Sequence, residues 1–263
     1  MNIHQGKLDK FIYWVNEREN IRWRREQGLP APWTDDPILQ HHHFCNIRRE
    51  DDRGTKEIRQ VRVELDLAMH KRPEFYTLAR LFNKADTVKS YWLYGIDHIK
   101  QLREEGEKLF HVAYVVSTCG ERMDKVDYVA RVVKAVRDSY VSNLSCRECF
   151  DCLRRVDGLG SFLAGQIVAD LKNDQYLHYA PDWHNFAVMG PGSKKGLDIL
   201  FGLGTTERNF TERLVALNRA VEGAIPYIHM QDLQNCLCEF QKFMHYVENS
   251  PGRRRVYVQR QHA

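Results

Sequence analysis

The stretch DGLGSFLAGQIVADL, residues 157–171, runs a glycine-bracketed turn straight into an amphipathic helix. Gly158 and Gly160 flank Leu159, and glycine allows the positive φ that a tight reversal needs while leaving backbone N–H groups uncovered. Ser161 is placed to cap the following helix, whose Leu163, Ile167, Val168 and Leu171 form an apolar stripe. Uncovered N–H groups at a helix start, with the helix dipole behind them, suit an anion such as a nucleic-acid phosphate. The same residues also read as an ordinary helix–turn–helix corner with glycine as a C-cap. Downstream comes DWHNFAV, residues 182–188, which sets the Asp182 carboxylate among Trp, Phe and Val.

Helical periodicity dominates the rest of the chain. Residues 8–27 read as one helix, stopped by GLPAPW. The segment TDDPILQHHHFCNIRRED opens on Thr34 or Asp35 as N-cap and puts Ile38, Leu39 and Phe44 on one face. Residues 57–70, 74–83 and 87–104 give further helices, with Pro73 forcing a boundary. Val126, Val129, Val133 and Val136 are spaced for a helix over 124–138, as are Leu233, Leu237, Phe240, Met244 and Val247 over 231–247. FHVAYVV, residues 110–116, is the one strand-like run. The expectation is a mainly α protein of one unit over 1–263: an N-terminal helical part at 1–109, a hairpin-bearing part at 110–248, and a basic tail at 249–263.

Composition narrows the function classes. Of the 263 residues, 43% are hydrophobic and 28% charged, as in a folded globular protein. No window approaches the ~20 apolar residues of a membrane span, and MNIHQGKLDKF lacks the apolar core of a secretory signal. These features predict a cytoplasmic location and no membrane partner. The seven cysteines are odd in number and unevenly spaced, which favours reduced thiols over a disulfide framework. Net charge is only +4, yet the arginines cluster in RENIRWRREQ and in GRRRVYVQR, which includes Arg253, Arg254 and Arg255. Such stripes suit a polyanion on one face; a solvated charged surface is the other reading.

The hairpin followed at this distance by Asp-x-His-x-Phe-x-Val resembles the helix-hairpin-helix DNA glycosylase superfamily, in particular its endonuclease III branch. STCGERMDKVDYVARVV (117–133) and IPYIHMQDLQNCLCEF (225–240) resemble its flanking and closing helices. The resemblance implies two helical lobes around a cleft, with the hairpin on the DNA backbone and Asp182 facing a flipped-out nucleotide. An N-cap for WHNFAV is the structural alternative for Asp182, and His184 reads as an orienting residue. Two departures speak against ordinary repair activity. Phe162 stands where the lyase branch carries its catalytic Lys, and the four-cysteine iron–sulfur cluster is missing.

GLPAPWTDDPILQHHHFCNIRREDD (28–52) and GPGSKKGL (190–197) are unlike repair glycosylases. Together with GSFLAGQIVADL they resemble the phage-centred α-glutamyl/putrescinyl thymine pyrophosphorylases, also described as amino acid:DNA transferases. That resemblance implies DNA containing phosphorylated 5-hydroxymethyluracil as substrate, with an amino acid or polyamine displacing the phosphate or pyrophosphate. Asp182 would take a proton from the amine. Ser193, Lys194 and Lys195 in the Gly-rich stretch would hold the phosphate, and Asn46 and Arg49 the phosphate or the amino acid's carboxylate. Gly158, Gly160, Ser161 and Arg253–Arg255 would contact the DNA backbone. A surface loop at 190–196 and an exposed salt-bridged surface at 48–52 are the structural alternatives.

No Gly-x-x-x-x-Gly-Lys-Ser/Thr loop occurs in these residues, so a 5-hydroxymethyluracil DNA kinase is expected as a separate partner. No cofactor is implied. Cys146, Cys149 and Cys152 read as an inward helix face, with metal binding as the alternative. His41–His43 diverge by ~100° each on a helix and do not share an ion. Two other functions fit the same motifs: a monofunctional DNA glycosylase, and a non-catalytic DNA-binding module.

Overall fold

The computed structural model describes residues 2–111, 118, 120 and 122–249. Among them the regular structure is helical: α1 (Gln5–Glu26), α2 (Pro37–His41), α3 (Arg53–Glu64), α4 (Arg72–Phe82), α5 (Ala85–Glu104), α6 (Lys125–Arg137), α7 (Cys146–Arg154), α8 (Ser161–Lys172), α9 (Pro191–Phe201), α10 (Glu207–Val221) and α11 (Met230–Glu248). The strand-like 110–116 lies almost wholly outside the described residues, as does the basic tail with Arg253, Arg254 and Arg255. No described helix is long and apolar enough to cross a membrane.

The chain forms two compact units. One combines Met1–Asp51 with Met189–Ala263, and the other is the continuous stretch Asp52–Val188. The unit boundaries fall at 51/52 and 188/189. The terminal unit joins sequence ends that no local pattern connects.

In the terminal unit α9 lies against α11, with α10 and α1 alongside. Phe11, Trp14, Leu197, Leu200, Leu237 and Phe240 make its buried centre. Gly192 and Gly196 are one helical turn apart on the α9 face that meets α11. A Cβ on Gly196 would stand 2.5 Å from the Leu237 carbonyl oxygen and 2.9 Å from its carbon. The two backbones approach too closely for any side chain there. GPGSKKG is therefore the opening turn of a helix, which corrects the reading of a phosphate-wrapping loop. The cap of α2 is also corrected. Asp36, not Thr34 or Asp35, accepts from the amides of Ile38 at 2.8 Å and Leu39 at 3.1 Å.

In the central unit α4 is buried from Arg72 through Ala79 and again at Leu81 and Phe82, and it packs on α5, α6 and α8. So buried a helix has to satisfy its charged residues internally. Arg72 pairs with Asp174, which also accepts from the Tyr76 hydroxyl at 2.9 Å and lies 3.2 Å from Arg62. Arg80 grips Asp170 of α8 with two guanidinium nitrogens. These ion pairs join α3 and α4 to α8 and its continuation; removing one partner would strand the other in an apolar site. α5 is broken at Gly95, whose φ of 80° and ψ of −175° are not helical.

Candidate functional site

The hairpin is built as α7, a turn at 155–160, and α8. Its two glycines do different work. Gly158 has φ +90°, and a Cβ there would come within 2.5 Å of a Val132 methyl and 3.0 Å of the Tyr128 hydroxyl on α6. The Tyr128 hydroxyl donates to the Gly158 carbonyl at 3.2 Å, fixing the turn to α6. Gly160 is extended, at φ −72° and ψ 171°, with no such neighbour, and serves as N-cap of α8 without a side-chain bond. The expectation that Ser161 caps this helix is corrected, because Ser161 is its first helical residue. Phe162, in the first turn of α8, is exposed. Arg154 and Arg155, exposed at the end of α7, supply positive charge at the turn that the motif did not single out.

Asp182 is half-buried, and its carboxylate reaches back across the unit to the start of α7. One oxygen accepts from the Cys146 amide at 2.8 Å and the other from the Arg147 amide at 2.9 Å. Ser145 is the N-cap and accepts from the Glu148 amide at 3.0 Å. The first turn of α7 is thus capped by two side chains from different parts of the sequence. This corrects the alternative in which Asp182 caps its own WHNFAV segment. It also ties the carboxylate to the helix that leads into the hairpin.

Behind Asp182 lies Lys172, wholly buried at the end of α8. Its ammonium is 3.4 Å from the Phe186 carbonyl oxygen and 5.0 Å from the centre of the Trp183 ring. The Trp183 indole N–H donates to the Lys172 carbonyl at 2.6 Å, so ring and cation are locked together. His184 is exposed, with its ring edge against Trp183. On α7, Cys146 and Cys149 belong to the core, while Cys152 is half-buried. Burial, reinforced by the adjacent Asp182 charge, pushes the Cys146 thiol up to about 12. Cys149 is likewise raised, by burial first. Both are protonated thiols near neutral pH, packed as apolar groups. Among the described residues no group of three or more His, Cys, Asp or Glu side chains is placed to hold a metal ion.

Two adjoining basins open on the surface of the central unit. A basin of about 450 Å³ is lined by His178, Tyr179, Ala180, Trp183 and His184. A larger one, about 710 Å³, shares His178 and Tyr179 and continues over Asn143, Leu144, Gln175 and Tyr176. Lys172, His178, Tyr179 and Trp183 escaped the sequence reading. The readable signal was the aromatic density of QYLHYAPDWH, residues 175–184, running from just after the first motif into the second.

The remaining expected residues lie in the terminal unit. Asn46 donates to the Asp51 carbonyl at 2.9 Å, and the Arg49 amide donates to Asp232 at 3.2 Å. Residues 46–51 are thereby fastened to the first turn of α11 at the buried Asp232, with His229 before it and Glu239 farther along the helix also buried. Ser193 is wholly buried and bonds Gly190 through both its donor and its acceptor capacity, so it caps α9 rather than meeting a phosphate. Lys194 pairs with Asp198 at 2.6 Å, while Lys195 is exposed.

Comparison with known proteins locates the chain. The family model for the helical domain of 5-hmdU DNA kinase matches residues 5–251. The 5-hmdU DNA kinase of Bacillus phage SP10 is 25% identical over 294 aligned positions, covering 92% of this chain and 46% of the relative. The chain therefore spans about half the length of that relative. No solved structure matches. With nearly its whole length inside one family model, the chain belongs to the family of 5-hmdU DNA kinase helical domains.

Proposed function

We propose that this chain takes part in modifying 5-hydroxymethyluracil in DNA, as a transferase that replaces the phosphate of the phosphorylated base with an amine. The amine nitrogen attacks the 5-methylene carbon. The carbon–oxygen bond to phosphate breaks, the electron pair leaves with the phosphate, and the ammonium proton passes to a carboxylate. Asp182 is the proposed acceptor. A carboxylate offers about four lone-pair sites, and the two α7 amides use one on each oxygen. Capping and proton transfer are thus compatible, and the cap removes the rotamer freedom that would blur a base's position. The observation that carries the reading is this carboxylate, immobilised by two amides and one residue away from the aromatic basin at Trp183 and His184.

Family membership supports a DNA base as the object. The matched region is named a helical domain, it covers under half of the SP10 kinase, and the phosphate-binding kinase loop is absent from these 263 residues. Phosphorylation is accordingly assigned to a separate catalytic domain or protein. The hairpin glycines and Arg154 and Arg155 are proposed to hold the DNA backbone.

The test incubates the protein with DNA carrying phosphorylated 5-hydroxymethyluracil and glycine, glutamate or putrescine, then digests to nucleosides for mass analysis. An amine adduct that disappears in Asp182→Asn is the expected result. No adduct with any amine would overturn the transferase reading. A second reading is favoured by the family's name: a domain that presents DNA to a kinase without bond-making of its own. Stimulation of a 5-hydroxymethyluracil kinase by this chain, undiminished in Asp182→Asn, would select it.

A further inference from the structure

The loop after α8 treats its two tyrosines oppositely. Tyr176 is drawn into the core, its hydroxyl donating to the Val141 carbonyl at 2.5 Å. Tyr179, three residues on, is 91% exposed. A single exposed aromatic is ordinary on a soluble protein, so exposure alone decides nothing. Its position does: Tyr179, with the His178 ring T-shaped against it at 4.9 Å, lines both the 450 Å³ and the 710 Å³ basin.

The surroundings name the ligand's chemistry. The smaller basin is also lined by Trp183, which its indole bond and the buried Lys172 hold rigid. The larger basin offers the amides of Asn143 and Gln175, each able to donate and accept. Flat rings beside amide and imidazole edges match heterocycles that have both a π-face and a hydrogen-bonding rim. A ring shared by two basins matches two such heterocycles in succession. Between them a strand carries a phosphate, for which Arg147 supplies an exposed cation. Arg147 follows Leu144 of the larger basin by three residues, and its amide bonds Asp182, which precedes Trp183 of the smaller. Its guanidinium is exposed at the first turn of α7, braced over the Phe150 and Phe186 rings at 5.5 and 5.3 Å.

The geometry points to a single-strand subsite in which Tyr179 stacks between two successive unpaired bases of DNA and Arg147 receives the intervening phosphate. The base in the smaller basin is the one adjacent to Asp182. This assignment rests on the reading that the domain acts on DNA, and it adds that the strand is engaged unpaired, on one unit.

Binding of a fluorescently labelled oligothymidine, with no modified base, is the test. Wild-type protein should bind the single strand more tightly than its duplex with oligoadenine. Tyr179→Ala should weaken single-strand binding by roughly 10-fold or more, as expected for lost base–aromatic stacking, while Tyr179→Phe stays within about twofold. Arg147→Met should flatten the dependence of affinity on salt by about one phosphate contact. An unchanged thermal midpoint for each variant shows that the fold is intact. Equal affinity of Tyr179→Ala and wild type, equal losses in Tyr179→Ala and Tyr179→Phe, or tighter binding of the duplex would each overturn the subsite. Because the probe cannot react, the two proposals fail separately. Stacking with no adduct formation overturns the transferase alone, and full adduct formation by Tyr179→Ala overturns the subsite alone.

Discussion

Gly158–Gly160 and Gly192–Gly196 look alike on paper, each pair in a polar stretch beside an apolar helix. In the structure they are opposites. Gly158 is a turn residue with positive φ, whereas Gly192 and Gly196 sit inside α9 where the backbone of α11 arrives. The difference lies in spacing. Two residues apart, glycines permit a reversal; four apart, they clear one helix face. Glycine content therefore says little about phosphate binding until the secondary structure is known, and the charged residues nearby follow suit. Lys194 is spent on Asp198 along the helix, while Arg154 and Arg155 stand exposed at the turn.

Substitutions can break this contrast in a ranked order. Gly196→Ala drives a methyl into the Leu237 backbone, and a loss of about 3 kcal/mol is expected by urea unfolding. A neutral result would mean that α9 and α11 do not meet as described. Gly158→Ala puts a methyl 2.5 Å from a methyl of the buried Val132 and adds positive-φ strain, so about 2 kcal/mol is expected. Next comes Asp182→Asn, which removes a charge and one acceptor from the α7 cap. Thermal unfolding should register about 1 kcal/mol, well below its predicted elimination of the adduct.

Lys194→Met probes a helix-surface pair and should change stability by only about 0.3–0.5 kcal/mol. The partner's carboxyl supplies a pH signature. Burial raises the Asp198 pKa, but hydrogen bonds from Lys194 and Thr205 outweigh it, holding the group below 3.8. Its stabilisation is present above the ordinary carboxylate pKa and lost as pH falls through the lowered one. The gap between variant and wild type should therefore close in acid, as stability measured from pH 6 down to 2.5 would record. Last, Gly160→Ser fits the extended conformation, has open space, and supplies a cap to α8. It should leave stability unchanged or raise it by up to about 1 kcal/mol. If it also weakens DNA binding, the uncovered amides of the hairpin are the contact; undisturbed binding would remove Gly160 from the interface.

Much of the helical layout was legible. The periodic runs at 8–27, 87–104, 124–138 and 231–247 lie within three residues of α1, α5, α6 and α11. Amphipathic spacing is a local property, and these helices each bury one face. α9 was missed because the first turns of its buried face carry Gly192 and Gly196, which give no hydropathy signal, and leave only Leu197 and Leu200 to mark it. Of the candidate site, the hairpin and Asp182 were visible as motifs. Their connection was not, since the amides that bind Asp182 belong to residues 146 and 147 and backbone donors leave no trace in residue type.

By itself the sequence determined that the chain is mainly helical, where it turns at Gly158, and that an acidic residue follows the hairpin. All three depend on backbone freedom and side-chain spacing over a few residues. Only the tertiary structure decided that the N-terminal segment to Asp51 and the segment from Met189 build one unit, that Asp182 caps α7, and that Tyr179 is exposed while Tyr176 is buried. Those outcomes depend on which surfaces meet, and identical residue types are distinguished there only by what packs against them.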